Sequence, residues 1–130
     1  MSNTRICFVR HGETNWNAER RMQGHIDIPL NANGISQAER LANALIRVKH
    51  SFDVIYSSDL ERALHTANAV ARALSLDVQI TPRLRERNVG KLQGLLLAEA
   101  PVLLPEIWQR HITRELDHDL GGGESIRTFH

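Results

Sequence analysis

The sequence predicts an α/β fold built on a parallel sheet. Three observations lead there. Short apolar runs rich in β-branched residues, at residues 6–9, 53–56 and 77–80, alternate with two segments whose apolar positions recur every three or four residues. The order strand, helix, strand, helix, strand calls for right-handed crossovers between parallel strands. Polar, chemistry-bearing residues follow each apolar run, at the carboxyl ends of strands, where ligands bind in open α/β sheets.

The elements follow in order. Ile6-Cys7-Phe8-Val9 reads as a short buried strand, which makes Cys7 a buried small hydrophobe rather than a reactive thiol. Residues 15–33, polar and broken by Pro29, read as a long loop, and loops of that length in compact chains usually serve function. Ile35, Ala38, Leu41, Ala42, Leu45 and Val48 mark an amphipathic helix over residues 36–48, with Asn31 or Ser36 as its cap. Residues 53–56 form the second predicted strand. Residues 61–74 form the second helix, with Leu64, Ala67, Ala71 and Leu74 on one stripe and Ser58 or Asp59 as cap. Residues 77–80 form the third strand, stopped by Pro82. Residues 94–116 are predicted helical with interruptions at Pro101 and Pro105, and Gly121-Gly122-Gly123 turns the chain into a new helix at Ile126. The chain stops at His130, barely one turn into that helix, so the expectation is a single truncated domain over residues 1–130.

Composition narrows the function. A chain of 130 residues, 42% apolar and 24% charged, suits one globular domain. The net charge of +1 gives no global field for nucleic acid or an anionic membrane. Arg83, Arg85 and Arg87 make a basic cluster without an aromatic platform. There is no basic-then-apolar leader and no long apolar run, so the cytoplasm is the expected location and neither membrane nor nucleic acid an expected partner.

The three strand ends gather a site. The first delivers Arg10 and His11, the second Ser57, Ser58 and, a turn later, Arg62, and the third the polar loop around Glu86. Guanidinium forks bind phosphate oxygens bidentately and stay charged, which suits Arg10 and Arg62. A neutral imidazole can attack phosphorus and carry the phosphoryl group, which suits His11. Glu86, whose protonated form a neighbouring phosphate dianion favours, suits a general acid. Backbone N–H groups at the start of the second predicted helix offer a further anion position. Ser57 and Ser58 read as strand-end and capping residues. Asp117-His118-Asp119, with His111 nearby, is the one metal-like cluster, and a metal-dependent phosphohydrolase is the rival reading it supports; the expectation is that no metal is bound.

Arg10-His11-Gly12-Glu13-Thr14 resembles the signature of the histidine phosphatase superfamily, which includes the cofactor-dependent phosphoglycerate mutases. Asn15-Trp16-Asn17 and the stretch from Met22 to Leu30 are similar to its next segment, Ser57 to Ala63 with Thr66-Ala67 to its second motif, Leu84-Arg85-Glu86 through Gly94 to its third, and Gly122-Gly123-Glu124-Ser125 to its fourth. The resemblance implies a three-layer parallel-sheet sandwich with helices on both faces, incomplete at the C-terminus. It implies a phosphorylated nucleophile at His11, a proton donor at Glu86, and phosphate or substrate contacts from Arg10, Arg62, Asn17 and Gln23. The substrate class is a small phosphorylated metabolite.

The Gln at position 23 and the short path from Glu86 to Gly94 resemble the phosphatase branch. The alternatives are a mutase, the one case that would take 2,3-bisphosphoglycerate as cofactor, and an inert phosphate-binding fragment. The family has a second catalytic histidine, at the end of a later strand and before a glycine. None of His25, His50, His65, His111, His118 or His130 follows an apolar strand and precedes a glycine. In the family that later strand lies between the counterparts of the first two strands predicted for this chain. Two expectations result: weak or absent turnover by this chain, and self-association as a homodimer with segments exchanged across an open sheet.

Overall fold

The computed structural model describes residues 3–129. In chain order the elements are α1 (Asn15–Ala18), α2 (Ala32–Ile46), β1 (Ile55–Ser57), α3 (Glu61–Leu74), β2 (Val78–Ile80), α4 (Ala100–Leu103) and α5 (Pro105–Ile112), with 3-10 turns at Pro82–Leu84 and Gly90–Leu92. The fold is α/β, with helices around a parallel sheet. Strands β1 and β2 pair in parallel, Ile55 opposite Val78 and Ser57 opposite Ile80, with α3 as the crossover.

Helices α2 and α3 pack through small side chains. Ala38 and Ala42 meet Ala69 and Val70, with Leu30 closing one end, and Leu41, Leu45 and Ile55 packing around them. Alanines at a helix contact let the backbones come close and lose little side-chain entropy on burial. A second cluster joins Val89, Leu92, Ala100 and Leu120, flanked by Met22, Ile107 and Trp108. It holds the C-terminal loops and short helices together. No helix among the described residues is long and apolar enough to cross a membrane.

Several local expectations change. Residues 6–9 belong to no strand among the described residues, and Ile6 and Phe8 are exposed, Phe8 at 90%. Cys7 is exposed as well, so it is not the buried hydrophobe that the apolar run predicts. The physical reason is that an apolar run becomes a strand only when a neighbour completes its ladder, and no described strand pairs with this one. The predicted loop over residues 15–33 contains α1, and Thr14 bridges Leu30 across it. Helix α2 begins at Ala32, capped by Asn31, whose side chain accepts from Gly34 N at 2.8 Å; Ser36 lies inside it. Helix α3 has no local side-chain cap, so neither Ser58 nor Asp59 has that role. Pro101 and Pro105 sit in the first turns of α4 and α5 and start those helices, because a first-turn N–H has no intrahelical partner to lose. Residues 126–128 form a turn, with no helix among the described residues there.

Candidate active site

The segment from Arg10 to Thr14 lies against the start of α2 and one face of α3. Gly12 passes Gly34 so closely that a Cβ on Gly12 would stand 2.4 Å from Gly34 O, and one on Gly34 would stand 2.0 Å from Glu13 O. Only two glycines permit that approach. Gly12 N donates to Thr66 Oγ1 on α3 at 3.0 Å, and Glu13 N donates to Gln37 Oε1 on α2 at 2.8 Å. Asn31 N returns a bond to Glu13 O at 2.9 Å. The backbone around His11 is therefore fixed from both helices.

His11 is half-buried. Its Nδ1 lies 2.7 Å from Gly12 O, and since a carbonyl only accepts, Nδ1 carries the proton. The lone pair is then on Nε2. Burial lowers the imidazole pKa from its ordinary 6.5; the bond to Gly12 opposes this, while Arg62 and Arg10 lower it further and Glu86 raises it. The ring is thereby held neutral at physiological pH. The same electrostatics show that Arg10, Arg62 and Glu86 share its surroundings. A cleft of about 420 Å3 runs beside it, lined among others by Cys7, Val9, Arg10, His11 and Thr66.

Arg62 is 1% exposed. Its guanidinium donates to Gly24 O at 2.7 Å and Ile26 O at 2.9 Å. Burial lowers its pKa, with Glu86 and Asp27 acting the other way. The carbonyls fix the fork without neutralising its charge. Arg10 and Glu86 are exposed, and among the described residues the Glu86 carboxylate has no hydrogen-bond partner. On either side of Glu86, Arg85 pairs with Asp59, holding that carboxyl below the usual range, and Arg87 donates to Glu124 O.

Asn17 and Gln23 meet through Thr14, which is fully buried. The Asn17 side chain completes a capping box with Thr14, and the Thr14 hydroxyl stands 3.0 Å from Asn17 Oδ1 and 2.8 Å from Gln23 Oε1. Both amide oxygens are thus engaged within this cluster. The anion position expected at the start of α3 is filled from within: Asp27 Oδ1 accepts from Glu61 N at 2.7 Å. Ser57 Oγ donates to Ser58 O, away from any nucleophilic role. In the metal-like stretch, Asp117 pairs with Arg127, His118 Nδ1 accepts from Leu120 N, and Asp119 accepts from Gly121 N. Among the described residues no group of three His, Cys, Asp or Glu side chains is arranged to hold a metal ion.

The family model of the histidine phosphatase superfamily (branch 1) matches residues 6–130. The chain belongs to that superfamily. It is 45% identical over 123 residues to phosphoglycerate mutase-like protein 4 of Arabidopsis thaliana, an alignment covering 93% of this chain and 53% of the relative. It is 42% identical over 125 residues to a metal-independent phosphoserine phosphatase of the same plant, covering 95% and 52%. Among solved structures it is similar to a mycobacterial glucosyl-3-phosphoglycerate phosphatase complexed with VO3, with TM-score 0.77, 34% identity, and coverage of 92% of this chain and 56% of that one. The chain thus spans about half the length of the curated relatives it matches. Histidine phosphatase relatives of this kind include both phosphatases and mutases.

The roles of three residues around the candidate site escape a reading of the sequence. Thr66 stands out there only as part of a motif, yet its hydroxyl ties Gly12 to α3. Asp27 caps the helix that carries Arg62. Glu124 holds the segment after Glu86, its Oε2 accepting from Asn88 N at 2.8 Å. For Thr66 a signal exists, since it lies one helical turn after Arg62 and so on the same face. Asp27 and Glu124 also stand there only inside family-like stretches, and their roles are not visible because each acts on a partner more than thirty residues away in sequence.

Proposed function

We propose that this chain is a phosphomonoester hydrolase that works through a phosphohistidine on His11. The observation that carries the reading is the Nδ1 bond to Gly12 O, which leaves Nε2 as a neutral nucleophile beside Arg62 and Arg10. Nε2 attacks phosphorus as the bond to the leaving oxygen breaks, and Glu86 supplies the proton that makes the product an alcohol. Water then attacks the phosphohistidine, Glu86 takes its proton, and inorganic phosphate leaves. Arg62 and Arg10 hold the equatorial oxygens, where charge stabilisation matters most. Asn17 and Gln23 donate to phosphate or substrate from their amide nitrogens. The reading uses no metal, and the substrate is a small phosphorylated metabolite.

The phosphatase reading is favoured over the mutase by Gln23 and by the short route from Glu86 to Gly94, which here is a single 3-10 turn. The 130 residues on their own include no second histidine before a glycine, so their turnover is proposed to be slow; losing one transition-state donor reduces rate by roughly a hundredfold or more. The exposed Ile6, Phe8 and Tyr56 support self-association of these residues into a homodimer.

The test is incubation with p-nitrophenyl phosphate and with 3-phosphoglycerate, metal-free, beside His11→Ala. The expected result is an acid-labile, base-stable phosphoryl group on His11, with glycerate and phosphate released. Appearance of 2-phosphoglycerate would make the chain a mutase. A folded sample that never acquires the label is an inert phosphate-binding fragment, and the proposal fails.

A further inference from the structure

We propose that Glu124 is the positioning residue that holds the Glu86 segment for proton donation. The proposal rests on Glu86 as the proton donor and adds the device that aims it.

Four contacts converge on Glu124. Its carboxylate Oε2 accepts from Asn88 N at 2.8 Å, two residues beyond Glu86. Its own N–H donates to Asn88 O at 2.8 Å, so the two backbones are joined in both directions. Its carbonyl accepts from Arg87 Nε at 2.8 Å. The same carboxylate oxygen stands 3.5 Å from His25 Nε2. His25 lies between Gly24 and Ile26, whose carbonyls hold the Arg62 guanidinium. One carboxylate therefore touches both the segment bearing the acid and the segment cradling the phosphate clamp.

The neighbouring glycine makes the joint rigid. A Cβ on Gly123 would stand 2.3 Å from Asn88 O and 2.4 Å from Gly90 N, so the turn lies directly on the acid segment. Glu86 itself has no partner among the described residues. Its aim is set by its backbone, and Glu124 supplies the bonds nearest to it on the C-terminal side. A carboxylate accepting a backbone N–H is among the stronger hydrogen bonds, and its loss releases that amide.

The experiment compares Glu124→Ala, Glu124→Gln and Glu86→Gln in the full chain. The first readout is amide hydrogen exchange. Glu124→Ala is expected to speed exchange at Asn88 about tenfold, with α2 and α3 unchanged, and Glu124→Gln to restore much of the protection through its amide oxygen. The second readout is leaving-group dependence. An alkyl phosphate needs its leaving oxygen protonated, whereas p-nitrophenolate departs as the anion. Glu124→Ala should lower kcat/KM for 3-phosphoglycerate about tenfold while changing that for p-nitrophenyl phosphate less than threefold, as should Glu86→Gln without any change in exchange. Unchanged exchange at Asn88, or an equal fall with both esters, overturns the proposal. If Glu86→Gln shows no leaving-group dependence, or no label reaches His11, the fault lies in the catalytic reading beneath it.

Discussion

The proposed nucleophile, His11, and the proposed acid, Glu86, sit on segments held in opposite ways. His11 is half-buried, its ring bonded to its own neighbour and its backbone tied to α2 and α3 by Thr66, Gln37 and a glycine pair. Glu86 is exposed, its side chain unpartnered among the described residues, and its segment is held at the margins by Arg85–Asp59 and Glu124–Asn88. The contrast fits the roles proposed for the two groups. A nucleophile needs one fixed lone pair and partial dehydration to stay neutral. A proton donor must meet the leaving group and then water, so it must stay accessible. Fixing His11 therefore uses the core, and aiming Glu86 uses surface bonds.

The contrast is tested most severely at the glycine pair. In Gly34→Ala the new methyl would meet Glu13 O, and either the loop or α2 must move. We expect a loss of about 1–3 kcal/mol of stability from overpacking, and a larger fall in His11 phosphorylation than in folding, because the displaced segment carries the nucleophile. Thermal melting and labelling of the same sample check it. Gly122→Ala is the matched control in the other region: it meets nothing within 4 Å, and only its φ of +92° penalises the methyl. If Gly122→Ala is as harmful to labelling as Gly34→Ala, the two regions are not held differently.

Next in size is Thr66→Val, which keeps the shape and removes the acceptor for Gly12 N. An orphaned buried donor costs about 1–3 kcal/mol. Asp27→Ala removes the cap on α3 and should cost about 1 kcal/mol, with a parallel weakening of phosphate binding through Arg62. Equal stability of Asp27→Ala and the parent chain in urea would show that the bond to Glu61 N contributes nothing.

How much of the molecule is legible in its sequence depends on distance along the chain. Helix α3 is predicted with both its ends, Glu61 and Leu74, because its apolar stripe is local. The start of α2 is placed four residues late, although Asn31 is one of its two candidate caps and Ile35 belongs to its stripe, because residues 32–34 continue the helix outside the positions that mark that stripe. Arg10, His11, Arg62 and Glu86 are named from the sequence on the expectation that strand ends converge; the structure keeps Arg10, Arg62 and Glu86 near enough to His11 to bias its charge, although residues 6–9 form no described strand. Pairing cannot be found that way. The pattern of residues 6–9 states a preference for strand, and only a neighbouring chain segment can satisfy it. The caps and clamps at Asp27 and Glu124 are hidden for the same reason, since tertiary contacts, not spacing, select them.

The smallest expected effect concerns pH. The His11 imidazole has its pKa lowered below 6.5 by burial and by Arg62 and Arg10. The unfolded chain therefore binds a proton at this site at a higher pH than the folded one does. As pH falls below 6.5, the unfolded state gains protons first, and the part of the stability that depends on a neutral His11 declines. Phosphorylation of His11 should follow the same direction but at lower pH, because only the folded ring has to become protonated before the nucleophile is lost. The acid limb of labelling is thus expected below 6.5, and it should move upward in Arg10→Ala, which removes one of the cations that keep the ring neutral. In Glu86→Gln, where a charge favouring the imidazolium is gone, it should move downward. Labelling rates measured against pH for the three proteins decide the matter. An acid limb at or above 6.5 in the parent chain would mean that the bond to Gly12 and the Glu86 charge outweigh burial, and that the nucleophile segment is wetter than its packing indicates.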